Sequence, residues 1–152
     1  MTPNQKAFLD MIAHSEIGPA ILAVSNNGYN VLVGSTPAHP RLFTSYADHP
    51  NILNKQCNST AAGRYQLLHR YFVAYKAQLN LLDFSPDSQD EIAIQQIRER
   101  NAINDIEAGN IASAIAKCSN IWASLPGAGY GQHENNLESL VAAYQAAGGK
   151  LV

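Results

Sequence analysis

The amino-acid sequence predicts one mostly helical α+β domain that carries a small antiparallel β-sheet lobe. Of the 152 residues, 46% are hydrophobic and 14% are charged, a balance typical of one compact domain with a substantial core. Apolar residues recur at helical spacing near the N-terminus and through most of the second half, whereas residues 29–33 and 42–46 have the composition of strands. No repeat or low-complexity linker interrupts the chain, so we expect residues 1–152 to form a single domain.

The first helix is predicted at about residues 3–17. Thr2 and Gln5 have the spacing of a capping box, and Pro3 occupies the first helical position. Apolar residues follow at positions 9, 12 and 13, and Glu16 continues the same face at i+7. Gly18 and Pro19 then end the helix.

Glu16 is the first candidate for chemistry. Apolar surroundings and the negative end of the helix dipole both raise the pKa of a carboxyl, as a general acid working near neutral pH requires. The alternative is a solvated glutamate at the rim of a helix end, which is the commoner case when this segment is taken alone.

The predicted sheet lobe is a short hairpin. Residues 29–33 and 42–46 are β-branched and aromatic, so we expect them to pair in antiparallel fashion. Alternation would place Tyr29, Val31 and Val33 on one face, with Asn30 and Leu32 on the other. Residues 35–41 and 48–60 are expected to be loops.

The second half of the chain predicts five further helices. A long core helix is expected from Arg64, and Ser85 is expected to cap a helix that begins at Pro86. A short helix at 102–107 should end at Gly109, and Asn110 should cap the next one. The predicted buried faces are Leu68, Tyr71, Phe72, Tyr75 and Leu79; Ala93, Ile94 and Ile97; Ile111, Ala114, Ile115 and Cys118; and Leu137, Leu140, Val141 and Tyr144.

The segment 119–132 lies between the last two helices and is rich in special residues. Its three glycines allow close backbone approach to a ligand, and Trp122 and Tyr130 offer flat faces of the kind that stack on sugars. These features fit the wall of a groove. They fit equally well a structural corner in which Trp122 fills the core.

Charge and residue spacing exclude several classes of partner. The formal net charge is −2, so nucleic acid is not expected as a partner. The two cysteines and five histidines lack metal-site spacing, and we expect no metal, cofactor or disulfide. The N-terminus has no signal-peptide pattern, and no run of about 18 apolar residues occurs. We therefore expect cytosolic synthesis without membrane insertion.

Two long strings, residues 59–68 and 119–132, carry a resemblance that extends from residue 6 to residue 149. The chain resembles the lambda-type lysozymes, phage endolysins that are peptidoglycan lytic transglycosylases. The resemblance implies a lysozyme-like fold with a substrate groove between a helical lobe and a sheet lobe. It also implies that Glu16 is catalytic and that Gln66 and Tyr130 contact the glycan. We expect further glycan contacts from six other residues: Ser15, Tyr29, Asn30, Tyr65, Ser124 and Gln132.

The reaction implied by this family cleaves the β-1,4 bond between N-acetylmuramic acid and N-acetylglucosamine and forms 1,6-anhydromuramic ends. Protonated Glu16 would protonate the leaving oxygen and then accept a proton from the C6 hydroxyl. Relatives have an aspartate where this chain has Asn30, so no second acid is evident on the first strand. Asp48 is a possible second acid, although its flanking residues favour a role in capping a turn.

Two alternatives stay open at this point: a hydrolytic muramidase and a peptidoglycan-binding module that has lost turnover. For the enzyme, the expected partner is the peptidoglycan glycan strand, and the expected state is a monomer. The resemblance implies that a holin releases the protein from the host cytoplasm to the cell wall at lysis.

Overall fold

The computed structural model describes residues 1–129 and 134–152. Within those ranges the chain forms seven α-helices, which we number in chain order. They are α1 (Pro3–Glu16), α2 (Pro19–Ala23), α3 (His69–Gln78), α4 (Pro86–Glu99), α5 (Ile103–Ala108), α6 (Ile111–Cys118) and α7 (Leu137–Ala146).

The chain divides into two compact units. The first unit comprises Met1–Glu16 and Ala93–Val152, and the second comprises Ile17–Ile92. The first division follows the last residue of α1, and the second falls inside α4. That residues 1–152 act as one catalytic domain stays a prediction.

Helix α1 is the central element of the first unit. It packs against α7 and α5, and α6 packs against both of these helices. The side chains of Phe8, Met11 and Ile12 are fully buried, which accounts for the apolar periodicity of the segment. The predicted capping box is confirmed, because Thr2 N donates to Gln5 Oε1 at 3.4 Å and Gln5 N donates to Thr2 Oγ1 at 3.2 Å.

The other helices of the second half follow most of their predicted patterns, although Asn110 precedes α6 without the expected capping hydrogen bond from its side chain. The predicted N-cap of α4 is confirmed, since Ser88 N donates to Ser85 Oγ at 3.3 Å. The four predicted residues of α6 are all buried, and α5 ends at Gly109, whose φ is +80°. In α7, Leu140 and Tyr144 are buried, but Leu137 is 40% exposed.

Helix α2 was not expected. Gly18 and Pro19 end α1 as predicted, but Pro19 also provides the first residue of a new short helix. A proline suits that position because it needs no intrahelical N–H partner and its φ is already helical. Gly18 makes the change of direction possible with a φ of +86°.

The predicted sheet lobe is not confirmed. The described residues form isolated antiparallel bridges, of which Val31 with Leu42 joins the two predicted segments. Leu32 N donates to Arg41 O and Phe43 N donates to Asn30 O, so the pairing was predicted correctly. The pairing does not extend into a regular strand because turns close on both sides of it, where Val31 N donates to Gly28 O and Ser35 N donates to Leu32 O. Val31 and Leu32 are both buried, and the predicted alternation of faces stays a prediction.

The prediction of a long core helix from Arg64 is wrong. Residues 62–67 form a tight turn, in which Ala62 N donates to Leu67 O at 3.1 Å and Leu67 N donates to Ala62 O at 2.9 Å. Helix α3 begins at His69, and within it Phe72 alone is buried while Tyr71 is 47% exposed. The core of the second unit is instead built around three phenylalanines, Phe43, Phe72 and Phe84.

Across residues 1–129 and 134–152, every helix is too short or too polar to span a bilayer.

Trp122 is 3% exposed and Leu125 is fully buried. The indole therefore occupies the interior, as the structural-corner interpretation predicts. We expect Trp122→Ala to lower the free energy of unfolding by about 3 to 5 kcal/mol, because it removes a large buried ring. Urea unfolding measures the loss, and Ile121→Ala at the partly exposed neighbouring position serves as the control. A loss no greater than that of the control would contradict the packing role.

Candidate active site

Glu16 is the last residue of α1 and continues the helix face that carries Ile12 and Ala13, both fully buried. Burial raises the pKa of Glu16 from its ordinary value of 4.5 to about 7, and a hydrogen bond from the Ser124 side chain opposes that rise. The carboxyl therefore keeps its proton in a substantial fraction of molecules at neutral pH. A general acid needs this property.

Three polar side chains meet beside Glu16: Ser15, Ser124 and Asn135. The hydroxyl oxygens of Ser15 and Ser124 are 2.7 Å apart. Asn135 Nδ2 donates to the Ser15 carbonyl at 3.2 Å and to Ser15 Oγ at 3.0 Å. The Asn135 backbone amide donates to the Ser124 carbonyl at 2.8 Å. Ser15 and Ser124 were predicted as glycan contacts, and these contacts stay predictions.

The chain segment that carries Ser124 is held in place at both ends. Its beginning is anchored by buried Trp122 and Leu125. Farther along, the carboxylate of Glu134 accepts hydrogen bonds from the backbone amides of Gly127 and Gly129, each at 3.1 Å. These amides, with Gly129 contributing more, lower the pKa of Glu134, so it stays ionised at neutral pH.

The second unit contains a hydrogen-bonded group of Tyr29, Arg64, Tyr65 and Asp90. The hydroxyls of Tyr29 and Tyr65 donate to Asp90 Oδ1 at 2.9 and 2.6 Å. The Arg64 guanidinium donates to the Tyr65 hydroxyl at 3.0 Å and lies over both tyrosine rings. Burial and the Asp90 charge raise the pKa of Tyr29 to about 12, and burial raises the pKa of Tyr65 as well.

This network gives both tyrosines a structural role. Tyr65 is 5% exposed, and the hydroxyl hydrogen of each ring is directed at Asp90. Their predicted glycan contacts stay predictions. Asp90 itself was not predicted, since one aspartate on an amphipathic helix gives no sequence signal of its own.

Gln66 and Asn30 also lie in the second unit. Gln66 has a φ of +51°, and its Nε2 donates to Gly63 O at 2.8 Å and to Val31 O at 3.3 Å. Asn30 Oδ1 accepts from Asn26 N at 2.8 Å. Each amide is therefore bound to the backbone, and the glycan contacts predicted for both residues stay predictions.

Asp48 is exposed, and its Oδ1 accepts from His49 N at 2.9 Å. This bond fits the predicted role in capping a turn. His49 is 4% exposed, its Nδ1 accepts from Asn51 N, and its Nε2 lies 2.8 Å from the Leu67 carbonyl. Burial lowers the pKa of His49, so the ring is neutral and structural.

Two predicted contacts, Tyr130 and Gln132, lie outside the described residues. Of the other predicted residues, the structure brings Ser15, Glu16 and Ser124 together in the first unit. Asn135 was missed, because no motif marks an asparagine that bonds to a residue 120 positions earlier. Within the part of the chain that the structure describes, no three histidine, cysteine or acidic side chains are grouped to hold a metal ion.

Comparison with known proteins identifies relatives over nearly the whole chain. A family model described as Endolysin matches residues 6–151. The endolysin of Escherichia phage lambda is 54% identical, over 96% of this chain and 92% of that protein. The endolysin of Escherichia phage P2 is 51% identical, over 96% and 93%.

Two solved structures share the fold. Bacteriophage lambda lysozyme complexed with a chitohexasaccharide aligns with a TM-score of 0.91 at 51% identity, over 100% of this chain and 98% of that one. A second structure of lysozyme from bacteriophage lambda aligns with a TM-score of 0.86 at 50% identity, with the same coverage. The fold is therefore lysozyme-like, as the resemblance implied.

The double acceptor role of Asp90 has a measurable consequence. Asp90→Asn puts an NH₂ group in place of one acceptor oxygen and removes the charge that both tyrosine hydroxyls face. We expect the free energy of unfolding to fall by about 1 to 3 kcal/mol. Urea unfolding tests this, with Glu91→Gln, an exposed neighbour on α4, as the control. Equal stabilities of the two variants would contradict the role assigned to Asp90.

Proposed function

The chain belongs to the endolysin family, and we propose that it cleaves peptidoglycan glycan strands by lytic transglycosylation. Endolysins of this family are phage lysozymes that degrade the bacterial cell wall during host lysis. The proposal concerns the bond that is broken, the group that protonates it and the product that results.

A glycan substrate is supported by the relative whose structure was solved as a complex with a chitohexasaccharide, at 51% identity to this chain. We propose that the substrate here is the peptidoglycan strand itself. The bond cleaved is the β-1,4 bond between N-acetylmuramic acid and N-acetylglucosamine.

The observation that carries the proposal is the environment of Glu16. Its carboxyl has a pKa of about 7 and accepts a hydrogen bond from Ser124. In the protonated form it gives its proton to the leaving glycosidic oxygen. The resulting carboxylate then takes the proton from the C6 hydroxyl of the same muramic acid residue. The C6 oxygen bonds to C1, and the 1,6-anhydro ring closes.

A single acid suffices for this sequence of proton transfers, whereas ordinary retaining or inverting hydrolysis requires a second carboxylate as nucleophile or as base for water. Three positions in the second unit bear on that requirement. Asn30 is an amide and cannot act as either, Asp48 accepts from the backbone of a turn, and Asp90 accepts from two tyrosine hydroxyls. These arrangements favour the transglycosylase over the muramidase.

Glu16→Gln keeps the shape of the side chain but removes the transferable proton. We expect sacculus-solubilising activity to fall by at least about 100-fold, the usual contribution of a general acid. The decrease in turbidity of purified sacculi measures it. Glu138→Gln, which makes the same change at an exposed position of α7, should keep the unmodified rate. Activity of Glu16→Gln near that of the unmodified protein would overturn the assignment.

The raised pKa of Glu16 also predicts how the stability of the unmodified protein, compared with that of Glu16→Gln, depends on pH. The pKa of Glu16 is raised in the fold, so the folded state binds more protons than the unfolded state between pH 4.5 and about 7. Stability therefore decreases as the pH rises through this window, and above pH 7 the fold contains the Glu16 carboxylate in surroundings that disfavour its charge. Glu16→Gln should melt at a higher temperature than the unmodified protein at pH 8, and the difference should close by pH 4.

Product analysis tests the reaction class. Digestion of sacculi in water enriched in ¹⁸O should yield muropeptides with 1,6-anhydro ends, which are one water molecule lighter than reducing ends and contain no ¹⁸O. Mass spectrometry distinguishes the two. Asn30→Asp restores an acid where relatives have one and should alter the rate without changing the products.

New reducing ends, in excess of those in undigested sacculi kept in the same ¹⁸O water, would show that water is the nucleophile, and the hydrolytic muramidase would replace the transglycosylase. Asp48→Asn would then test the first candidate for the base.

A further inference from the structure

We propose that Asn135 is a positioning residue for Glu16, acting through a directed chain of hydrogen bonds in the order Asn135, Ser15, Ser124 and Glu16. This inference deepens the proposed function and rests on Glu16 being its general acid. The four side chains come from two distant parts of the first unit, since Asn135 and Ser15 are 120 positions apart in the sequence.

The side-chain amide of Asn135 sets which atoms donate and which accept along this chain of hydrogen bonds. Its Nδ2 lies 3.2 Å from the backbone carbonyl of Ser15, and a carbonyl can only accept. The NH₂ end of the amide therefore faces Ser15. The same nitrogen lies 3.0 Å from Ser15 Oγ, so that hydroxyl accepts its second hydrogen.

Ser15 Oγ then has its own hydrogen to donate, and Ser124 Oγ lies 2.7 Å away. When Ser15 donates to Ser124, the Ser124 hydrogen is directed away from Ser15. The Glu16 carboxyl is the acceptor assigned to it, because Glu16 directly follows Ser15 in the chain and a hydrogen bond from the Ser124 side chain lowers the pKa of Glu16. Every hydroxyl in the chain donates once and accepts once, so all the hydrogen bonds point towards Glu16.

Backbone contacts hold the same arrangement together. The amide of Asn135 donates to the Ser124 carbonyl at 2.8 Å, and Nδ2 satisfies the Ser15 carbonyl in the last turn of α1. Asn135 thus joins the helix that carries the acid to the segment that carries the hydroxyl. Next to it, Glu134 secures the preceding glycines.

A donor aimed at Glu16 stabilises the carboxylate that forms when the acid gives up its proton. Without Asn135, the Ser15 hydroxyl is free to turn away or to accept from Ser124, and the Ser124 hydrogen is no longer directed at Glu16. Loss of the chain should therefore raise the pKa of Glu16 and slow the step that needs the carboxylate.

The test compares Asn135→Ala with Asn136→Ala. The control makes the same change one residue later, where the Asn136 side chain caps α7 by accepting from Ser139 N at 2.8 Å. That variant loses a helix cap and is itself destabilised, so it reports what lost stability alone does to the site. Both variants keep the titratable residues that lie next to Ser15, Glu16 and Asn135 in the sequence, which are His14, His133 and Glu134.

We measure the pKa of Glu16 by a ¹³C NMR titration of glutamate side-chain carboxyls, assigned with Glu16→Gln, and kcat on sacculi. Asn135→Ala should raise the pKa of Glu16 by about one pH unit and lower kcat about tenfold, with KM within twofold. Asn136→Ala should leave both the pKa and kcat as in the unmodified protein.

A double-mutant cycle locates the effect. Ser15→Ala breaks the chain at its second member, so adding Asn135→Ala to it should change neither the pKa nor kcat further. If Asn135→Ala does not fold, Asn135→Leu is used with Asn136→Leu as its control. Leucine keeps the branched shape of the side chain and removes the donor without adding a charge near Glu16.

An unchanged pKa of Glu16 in Asn135→Ala, an equal change in Asn136→Ala, or a full effect in the Ser15→Ala background would each overturn the inference. The titration needs no substrate. An unmodified protein that releases nothing from sacculi would therefore refute the proposed function, while the inference would still be decided by the pKa.

Discussion

The position of a carboxyl group at the end of a helix whose apolar face is buried is the constraint on which the candidate site depends. Helix α1 packs its apolar face against α5 and α7, and the same face ends in Glu16. Removing this carboxyl from water disfavours its charge and raises its pKa to about 7. The packing that stabilises the first unit therefore also prepares the acid, because a more exposed Glu16 would be ionised at neutral pH.

In the proposed mechanism Glu16 also acts as a base, and burial alone would make its ionisation too unfavourable for that step. The hydrogen bond from Ser124 offsets part of the burial effect. Ser124 can donate this bond because its segment is fixed in position. Buried Trp122 and Leu125 anchor the segment on either side of Ser124. Glu134 and Asn135 then bind its backbone from farther along the chain. The segment that carries Ser124 therefore has two roles. Its apolar residues complete the core, and its polar residues surround the Glu16 carboxyl.

Local patterns were sufficient to predict the elements whose stability is local or strongly periodic. The capping box at Thr2 and Gln5 and the buried face of α6 were predicted correctly because each depends on spacing within two turns of helix. The expected helix at Arg64 failed because Gly63 and Gln66, both with positive φ, turn the chain there. Phe84 and Gln89 crowd Gly63 so closely that a Cβ would lie 2.9 Å from the phenylalanine ring.

Sequence alone identified those residues of the candidate site that belong to a periodic pattern or to a motif shared with the family. Glu16 follows from an apolar periodicity that ends in an acid, together with the family resemblance. The partners that tune the acid do not, because the bonds from Asn135 to Ser15 join residues 120 positions apart. The same holds in the second unit, where Asp90 receives hydrogen bonds from tyrosines 61 and 25 positions away. Such partners are specified by the packed fold, in which a polar group that leaves water must find a complementary one. The chemistry of the acid can therefore be inferred from the sequence, whereas the strength of the acid depends on contacts that exist only after folding.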